Sequence, residues 1–143
     1  MTVEIRRVAN RAEMDAALAI RDRVFCVEQG VPKREEIDGR DPEAVHLVAV
    51  QDGVVVGTCR LLFVDRTVQF SRLAVEQSAR RHGLATRLLL AADAEALDAG
   101  SRRIVLHAQT YARDLYLANG YEPHGRVFTE ASIEHIAMEK RFA

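Results

Sequence analysis

The chain has 143 residues, 48% of them hydrophobic and 29% charged, which is the size and make-up of one folded domain, here 1–143, and excludes a disordered chain. Lys+Arg is 20 and Asp+Glu is 21, a formal net charge of −1, so the basic excess of a dedicated nucleic-acid binder is missing. No apolar run approaches the roughly 20 residues that span a bilayer, and Met1 to Arg7 has no apolar leader core, so neither membrane nor secretion is expected and a cytoplasmic location is. Cys26 and Cys59 have neither C-x-x-C nor zinc spacing and read as reduced core thiols; no metal is expected.

In chain order, Val3 to Val8 alternates as a short strand. Asn10 can cap a helix whose apolar positions Met14, Leu18 and Phe25 predict helix from about Ala12 to Glu28, stopped before Gly30 and Pro32. Lys33 to Pro42 reads as a polar, acid-rich loop that either attracts a cationic amine or is simply solvated. Val45 to Val50, Val54 to Val64 and Thr67 to Val75 are predicted strands joined by the turns Asp52-Gly53 and Asp65-Arg66, an antiparallel meander. Gly83 to Ala99 then shows helical spacing and ends at Gly100. Ile104 to Leu106 is a short buried strand, reached by a crossover that makes it parallel to the third meander strand. Ala112 to Asn119 is a second short helix, and Ile133 to Lys140 alternates like a final strand. The fold class is therefore mixed α/β, with helices flanking one twisted sheet.

Between the third meander strand and the long helix lies Arg80-Arg81-His82-Gly83-Leu84-Ala85-Thr86. A helix start offers unpaired N–H donors and the positive end of the macrodipole, and glycine lets a ligand approach the backbone. With Arg80, Arg81 and Arg87 alongside, this suits a phosphate or pyrophosphate. A basic helix start with solvated arginines accounts for the same residues. The segment is neither a P-loop nor the dinucleotide fingerprint.

The wider context is more specific. Ser71-Arg72-Leu73-Ala74-Val75 is followed by Arg80-x-x-Gly83-x-Ala85, and later by Gln109-x-x-Ala112-x-x-x-Tyr116-x-x-x-Gly120-Tyr121. This resembles the GNAT family of acetyl-CoA-dependent N-acetyltransferases. Its pattern is [QR]-x-x-G-x-[GA] after the fourth strand, then Asn-x-x-Ala-x-x-x-Tyr before Gly-Phe/Tyr. Gln109 stands where Asn is commoner. Arg21-x-x-Val24-Phe25-x-x-Glu28-Gln29-x-x-Pro32, then Glu36-x-Asp38 and the tail Ile133-x-His135-Ile136-x-Met138, resemble a subgroup of small bacterial members, so the likeness covers nearly the whole chain.

The resemblance implies the GNAT fold, acetyl-CoA as cosubstrate and an amine acceptor, small molecule or peptide, with homodimers common. It implies that the backbone of Leu73, Ala74 and Val75 pairs with the pantetheine arm like an added strand, and that the strand from Ile104 splays away to open a slot for the thioester. Amides from Arg81 to Thr86 (Arg81, His82, Gly83, Leu84, Ala85 and Thr86), with Arg80 and Gln109 beside them, belong to the cofactor side, and an N–H near Val75 polarises the acyl carbonyl. Tyr116 is the catalytic candidate. A thiol has an ordinary pKa of about 8.5 and tyrosine about 10, so the hydroxyl is protonated at neutral pH and, at hydrogen-bond range, can stabilise the departing sulfur and supply its proton.

Glu28, Gln29, Arg72 and His135 look like acceptor-pocket residues; Arg72 reads alternatively as an internal ion pair, for which Glu28 is the candidate partner. Many members place a general-base Glu on the fourth strand; here that strand carries Gln69, Ser71 and Arg72 and no acid before Glu76. Glu28, His107 and His135 are the substitutes, although His107 and His135 read equally as core histidines, and His46 as structural. Two other functions fit part of the pattern: a CoA-binding sensor without turnover, and an acyl-homoserine-lactone synthase. The second usually carries a Trp in its first third, and this chain has none.

Overall fold

The computed structural model describes residues 2–143. A seven-stranded sheet has the order β1-β2-β3-β4-β5-β7-β6. β1 (Val3–Arg7), β2 (Val45–Gln51), β3 (Val54–Val64) and β4 (Thr67–Val75) form the expected antiparallel meander. β5 (Arg103–Gln109) runs parallel to β4, and β7 (Ile133–Arg141) is antiparallel to β5.

Alternation along β2 shows why the sheet is covered on both faces. Leu47 and Ala49 join a core with Leu84, Leu88, Leu89, Ala92 and Ala96 of α3 (Leu84–Asp98), whereas Val48 and Val50 pack with Ala17 of α1 (Arg11–Arg21). Asn10 caps α1 by accepting from the Glu13 N–H at 2.9 Å. Cys59 is buried in the α3-side core and burial pushes its thiol up; Cys26 is only half-buried, so the expected pair of core thiols reduces to one.

Four elements differ from the sequence reading. The first helix does not run unbroken to Glu28: after Arg21 it widens into a π-helix over Asp22–Glu28, closed by Gln29 N–H to Val24 C=O at 3.2 Å. The presumed acidic loop contains α2 (Lys33–Glu36) and a 3₁₀ turn at Asp41–Glu43. The short helix near Tyr116 begins with a 3₁₀ turn, Thr110–Ala112, before α4 (Arg113–Ala118). β6 (Glu122–Glu130) was not anticipated: it is an edge strand, exposed along most of its length, holds Pro123 and Gly125, and breaks register with β7 between His124 and Phe128, so it lacks a period-two apolar pattern.

Candidate active site

The site begins with a defect in β4. Thr58 pairs with Ala74, but the next β3 partner, Arg60, pairs with Ser71, so β4 carries a bulge in which Arg72 sits at φ 58. The bulge turns the end of β4 away from β5. Their ladder holds only Thr67–Arg103, Val68–Ile104 and Gln69–Val105, while β5 keeps pairing with β7 as far as Gln109–His135. Beyond Gln69 the two strands part, as expected, and among the described residues no strand lies beside the edge of Leu73, Ala74 and Val75 that faces β5.

A cleft of about 1000 Å³ opens at this parting. Leu73 of β4 and His107 and Gln109 of β5 line it, as do Gln29, Arg72 and His135. Tyr116 belongs to the α3-side core at 8% exposure and lines the cleft as well. Its ring meets Tyr121 edge-on at 5.9 Å, and burial raises its pKa above the ordinary tyrosine value, so the hydroxyl keeps its proton.

The α3 start lies just past the end of β4. Gly83 caps α3 at φ 75, a left-handed conformation that suits glycine, and a Cβ there would meet nothing within 4 Å. The first helical bond is Arg87 N–H to Gly83 C=O at 3.1 Å, so the N–H groups of Leu84, Ala85 and Thr86 have no acceptor within the helix. Leu84 is buried and offers only backbone, whereas Arg81, His82 and Gly83 are exposed. Arg80 differs from its neighbours: its Nε donates to the Val75 carbonyl at 2.9 Å and its guanidinium pairs with Glu28 at 2.9 Å.

That pairing corrects the expected Glu28–Arg72 contact. Glu28, at the end of the π-helix, is held beside the α3 loop, and Gln29 turns the other way, accepting from Gln109 at 2.8 Å and donating to the Tyr111 hydroxyl at 3.2 Å. Arg72 instead reaches the 33–41 segment, within 3.5 Å of Glu36 and 3.4 Å of Asp38, and donates to the Glu36 carbonyl at 3.0 Å. Burial, followed by the charge of Arg60, lowers its pKa.

The acidic segment is more than a solvated loop: Glu36, Asp38 and Asp41 are each bound to arginines, whereas Glu35 is exposed. Arg21 binds Glu36 at 2.5 Å and Asp41 at 2.8 Å; Arg60 binds Asp38 at 2.8 Å and Asp41 at 3.1 Å. The Arg60 bond holds Asp38 well below the usual carboxylate range. The His46 ring N–H donates to the Asp41 carbonyl at 2.9 Å, the structural role expected of it.

On the other side of the cleft, His135 is buried yet lines the space, stacked on Phe128 at 5.9 Å and donating from Nδ1 to the Ile133 carbonyl at 2.8 Å. Its burial is that of a core histidine, although one edge of it reaches the cleft. His107 is open, with its Nδ1 3.1 Å from Glu130 of β6. Glu130 was missed because β6 was missed.

A family model for the acetyltransferase (GNAT) domain matches residues 12–142, so the chain belongs to the GNAT acetyltransferase family and is an acetyltransferase. It is 33% identical over 132 residues to the uncharacterized N-acetyltransferase YjcF of Bacillus subtilis, covering 92% of this chain and 94% of that one. Its structure is similar to an acyl-CoA N-acyltransferase from Pseudomonas aeruginosa, with TM-score 0.85, 28% identity and coverage of 98% and 99%. It shares its fold with the PaiA N-acetyltransferase of Thermoplasma acidophilum, solved with coenzyme A, at TM-score 0.76, 18% identity and coverage of 99% and 100%. No helix among the described residues is long and apolar enough to cross a membrane.

Proposed function

We propose that the chain transfers an acetyl group from acetyl-CoA to a primary amine on a small molecule or peptide, by direct attack of the amine on the thioester. The observation that carries this reading is the parting of β4 and β5 beside the open start of α3, with Tyr116 in the cleft between. The residues present fit the cosubstrate. Leu73, Ala74 and Val75 present a backbone edge without a neighbouring strand for an extended amide-bearing arm, the Val75 carbonyl being held by Arg80. The amides from Arg81 to Thr86, with open space above Gly83, suit a pyrophosphate. Glu28 and Arg80 border that loop together, and Gln109 lies at the end of β5, where Gln29 fixes it.

Tyr116 supplies the proton that the departing sulfur needs. Its raised pKa keeps the hydroxyl protonated at neutral pH, so it stands ready to donate a hydrogen bond to the developing thiolate and to pass it a proton as the C–S bond breaks. Gln29, Arg72 and His135 face the acceptor side of the cleft. Arg72 is held by Glu36 and Asp38, so it shapes the pocket as a fixed donor.

The test is release of free CoA from acetyl-CoA with a panel of primary amines (amino acids, diamines, aminosugars and a short peptide), with the acetylated product identified by mass. At least one amine is expected to turn over, and Tyr116→Phe should cut that turnover by roughly 10²–10⁴-fold while leaving acetyl-CoA affinity nearly unchanged. Wild-type protein that binds acetyl-CoA and acetylates none of the panel would contradict the reading. Near-wild-type turnover in Tyr116→Phe, where chemistry limits the rate, would remove the tyrosine from the mechanism.

A further inference from the structure

An amine acceptor reaches the enzyme protonated and must lose a proton to attack, yet β4 carries no acid. The titratable groups that line the cleft narrow the choice. Glu36 is buried and bound to Arg21, and Asp38 is bound to Arg60 and held as a weak base. The hydroxyls of Tyr116 and Tyr111 are both raised by burial, so they stay protonated and are not bases. Glu35 sits on the exposed face of α2. What remains is a cluster where β5, β6 and β7 meet.

There, Glu130 at the end of β6 lies between two imidazoles. Its Oε1 is 3.1 Å from His107 Nδ1, and its Oε2 is 3.9 Å from His135 Nε2. Phe128 holds both rings, edge-on to His107 at 5.0 Å and stacked on His135 at 5.9 Å. A carboxylate only accepts hydrogen bonds, so Nδ1 of His107 carries the proton and its Nε2 keeps a free lone pair. The side chain of His107 is 54% exposed, against 8% for His135, whose Nδ1 is already committed to the Ile133 carbonyl. His107 stands on β5 two residues past Val105, the last residue paired with β4, which is where the slot begins.

We propose that His107, oriented by Glu130, is the proton acceptor for the incoming amine. This rests on the reading of the chain as an amine acetyltransferase. His107 Nε2 takes the proton of the bound ammonium and frees the lone pair that forms the N–C bond, Tyr116 gives one to the sulfur as the C–S bond breaks, and the second nitrogen proton leaves to solvent as the amide forms. Both groups then exchange back with solvent. Glu130 is a positioning residue: it fixes the tautomer and steadies the imidazolium. The other charged or titratable groups that line this part of the cleft are His124 of β6, His135 of β7, Arg103 of β5 and, from the 33–43 segment, Arg40, which reaches Gln69 of β4 at 3.5 Å.

Two measurements on the full chain test this. Nitrogen-detected NMR of the free protein should show His107 in the Nδ1–H tautomer, with a titration midpoint that moves to lower pH in Glu130→Gln, because a neutral amide no longer favours the imidazolium. A midpoint and tautomer unchanged in Glu130→Gln would overturn the pair. The second measurement is the pH profile of kcat/KM with an amine from the panel that the wild type acetylates. His107→Gln should lose about 10²–10⁴-fold and its acidic limb. Glu130→Gln should keep that limb and shift it to lower pH. The His107→Gln defect should shrink for an amine weak enough to be neutral at the assay pH, which a merely structural histidine would not do. His107 is exposed, so both variants are expected to fold. If the wild type acetylates an amine and His107→Gln retains the wild-type profile, the inference fails and the acetyltransferase reading stands. If the wild type acetylates nothing, that reading fails and the inference falls with it.

Discussion

In the cluster beneath the 33–43 segment, Arg21 and Arg60 are 1% and 3% exposed and each binds two carboxylates. At the start of α3, Arg81 and Arg87 are exposed, and among the described residues neither has an ion pair. The same side chain does opposite work in the two places. A buried guanidinium must be matched, and once matched its five donors tie together segments distant in sequence. Arg21 thereby fixes α1 to Glu36 and Asp41, and Arg60 fixes β3 to Asp38 and Asp41. An unmatched exposed guanidinium contributes little to folding and stays available to an anionic ligand. Arg72 and Arg80 lie between these extremes, each half-buried and each turned toward an acid and a main-chain carbonyl.

The contrast is broken most severely at Arg21. Arg21→Ala leaves buried Glu36 with only Arg72, 3.5 Å away, and Asp41 with only Arg60, and the expected loss is about 3–5 kcal/mol, read by denaturant unfolding. A loss below about 1 kcal/mol would show that the cluster relaxes and that burial here does not demand pairing. Arg72→Ala should cost less, about 1–3 kcal/mol, because Glu36 keeps Arg21 and Asp38 keeps Arg60. It should also impair acceptor use more than acetyl-CoA binding, and unchanged acceptor kinetics in a folded variant would make Arg72 purely structural.

Arg81→Ala should do the reverse. Its stability should change by no more than about 0.5 kcal/mol, while affinity for CoA falls and becomes less sensitive to salt. Acid sharpens the same comparison. Asp38 is held below its ordinary pKa by the Arg60 bond, and Asp41 lies below its own because the Arg21 and Arg60 bonds outweigh the opposing cost of burial. Depressed carboxylates stabilise the fold above the ordinary aspartate pKa of about 3.9, and that stability is lost as pH falls below it. Asp38→Asn should therefore flatten the decline in melting temperature below about pH 4, and an unaltered slope would remove Asp38 from the acid response.

Much of the frame was legible because it rests on local rules. The meander follows from alternation and the Asp52-Gly53 turn, α3 from apolar spacing between Gly83 and Gly100, and the parallel β5 from the handed crossover. The loop and Tyr116 stood out through motif spacing. What the sequence hid depends on long-range pairing. Glu28 and Arg72 both look like acceptor-pocket residues, but the bulge at Arg72 and the widened helix after Arg21 send them to different partners. The acidic segment looked soluble because its charges are matched by Arg21, Arg60 and Arg72 from elsewhere in the chain. Glu130 was invisible because β6 shows no apolar alternation, so nothing signalled that it comes to lie against His107.

The account stands on the cosubstrate lying in the gap between β4 and β5 with its phosphates on the start of α3. Calorimetric titration of CoA into wild-type protein and Gly83→Val tests this most directly. The variant places a branched side chain in the open space above the first turn, in a left-handed conformation that costs it about 1–3 kcal/mol of stability. Wild-type protein is expected to bind one CoA with an affinity that weakens as salt rises, and the folded variant to show no measurable binding. A folded Gly83→Val protein that binds CoA as tightly as the wild type would contradict the placement of the phosphates.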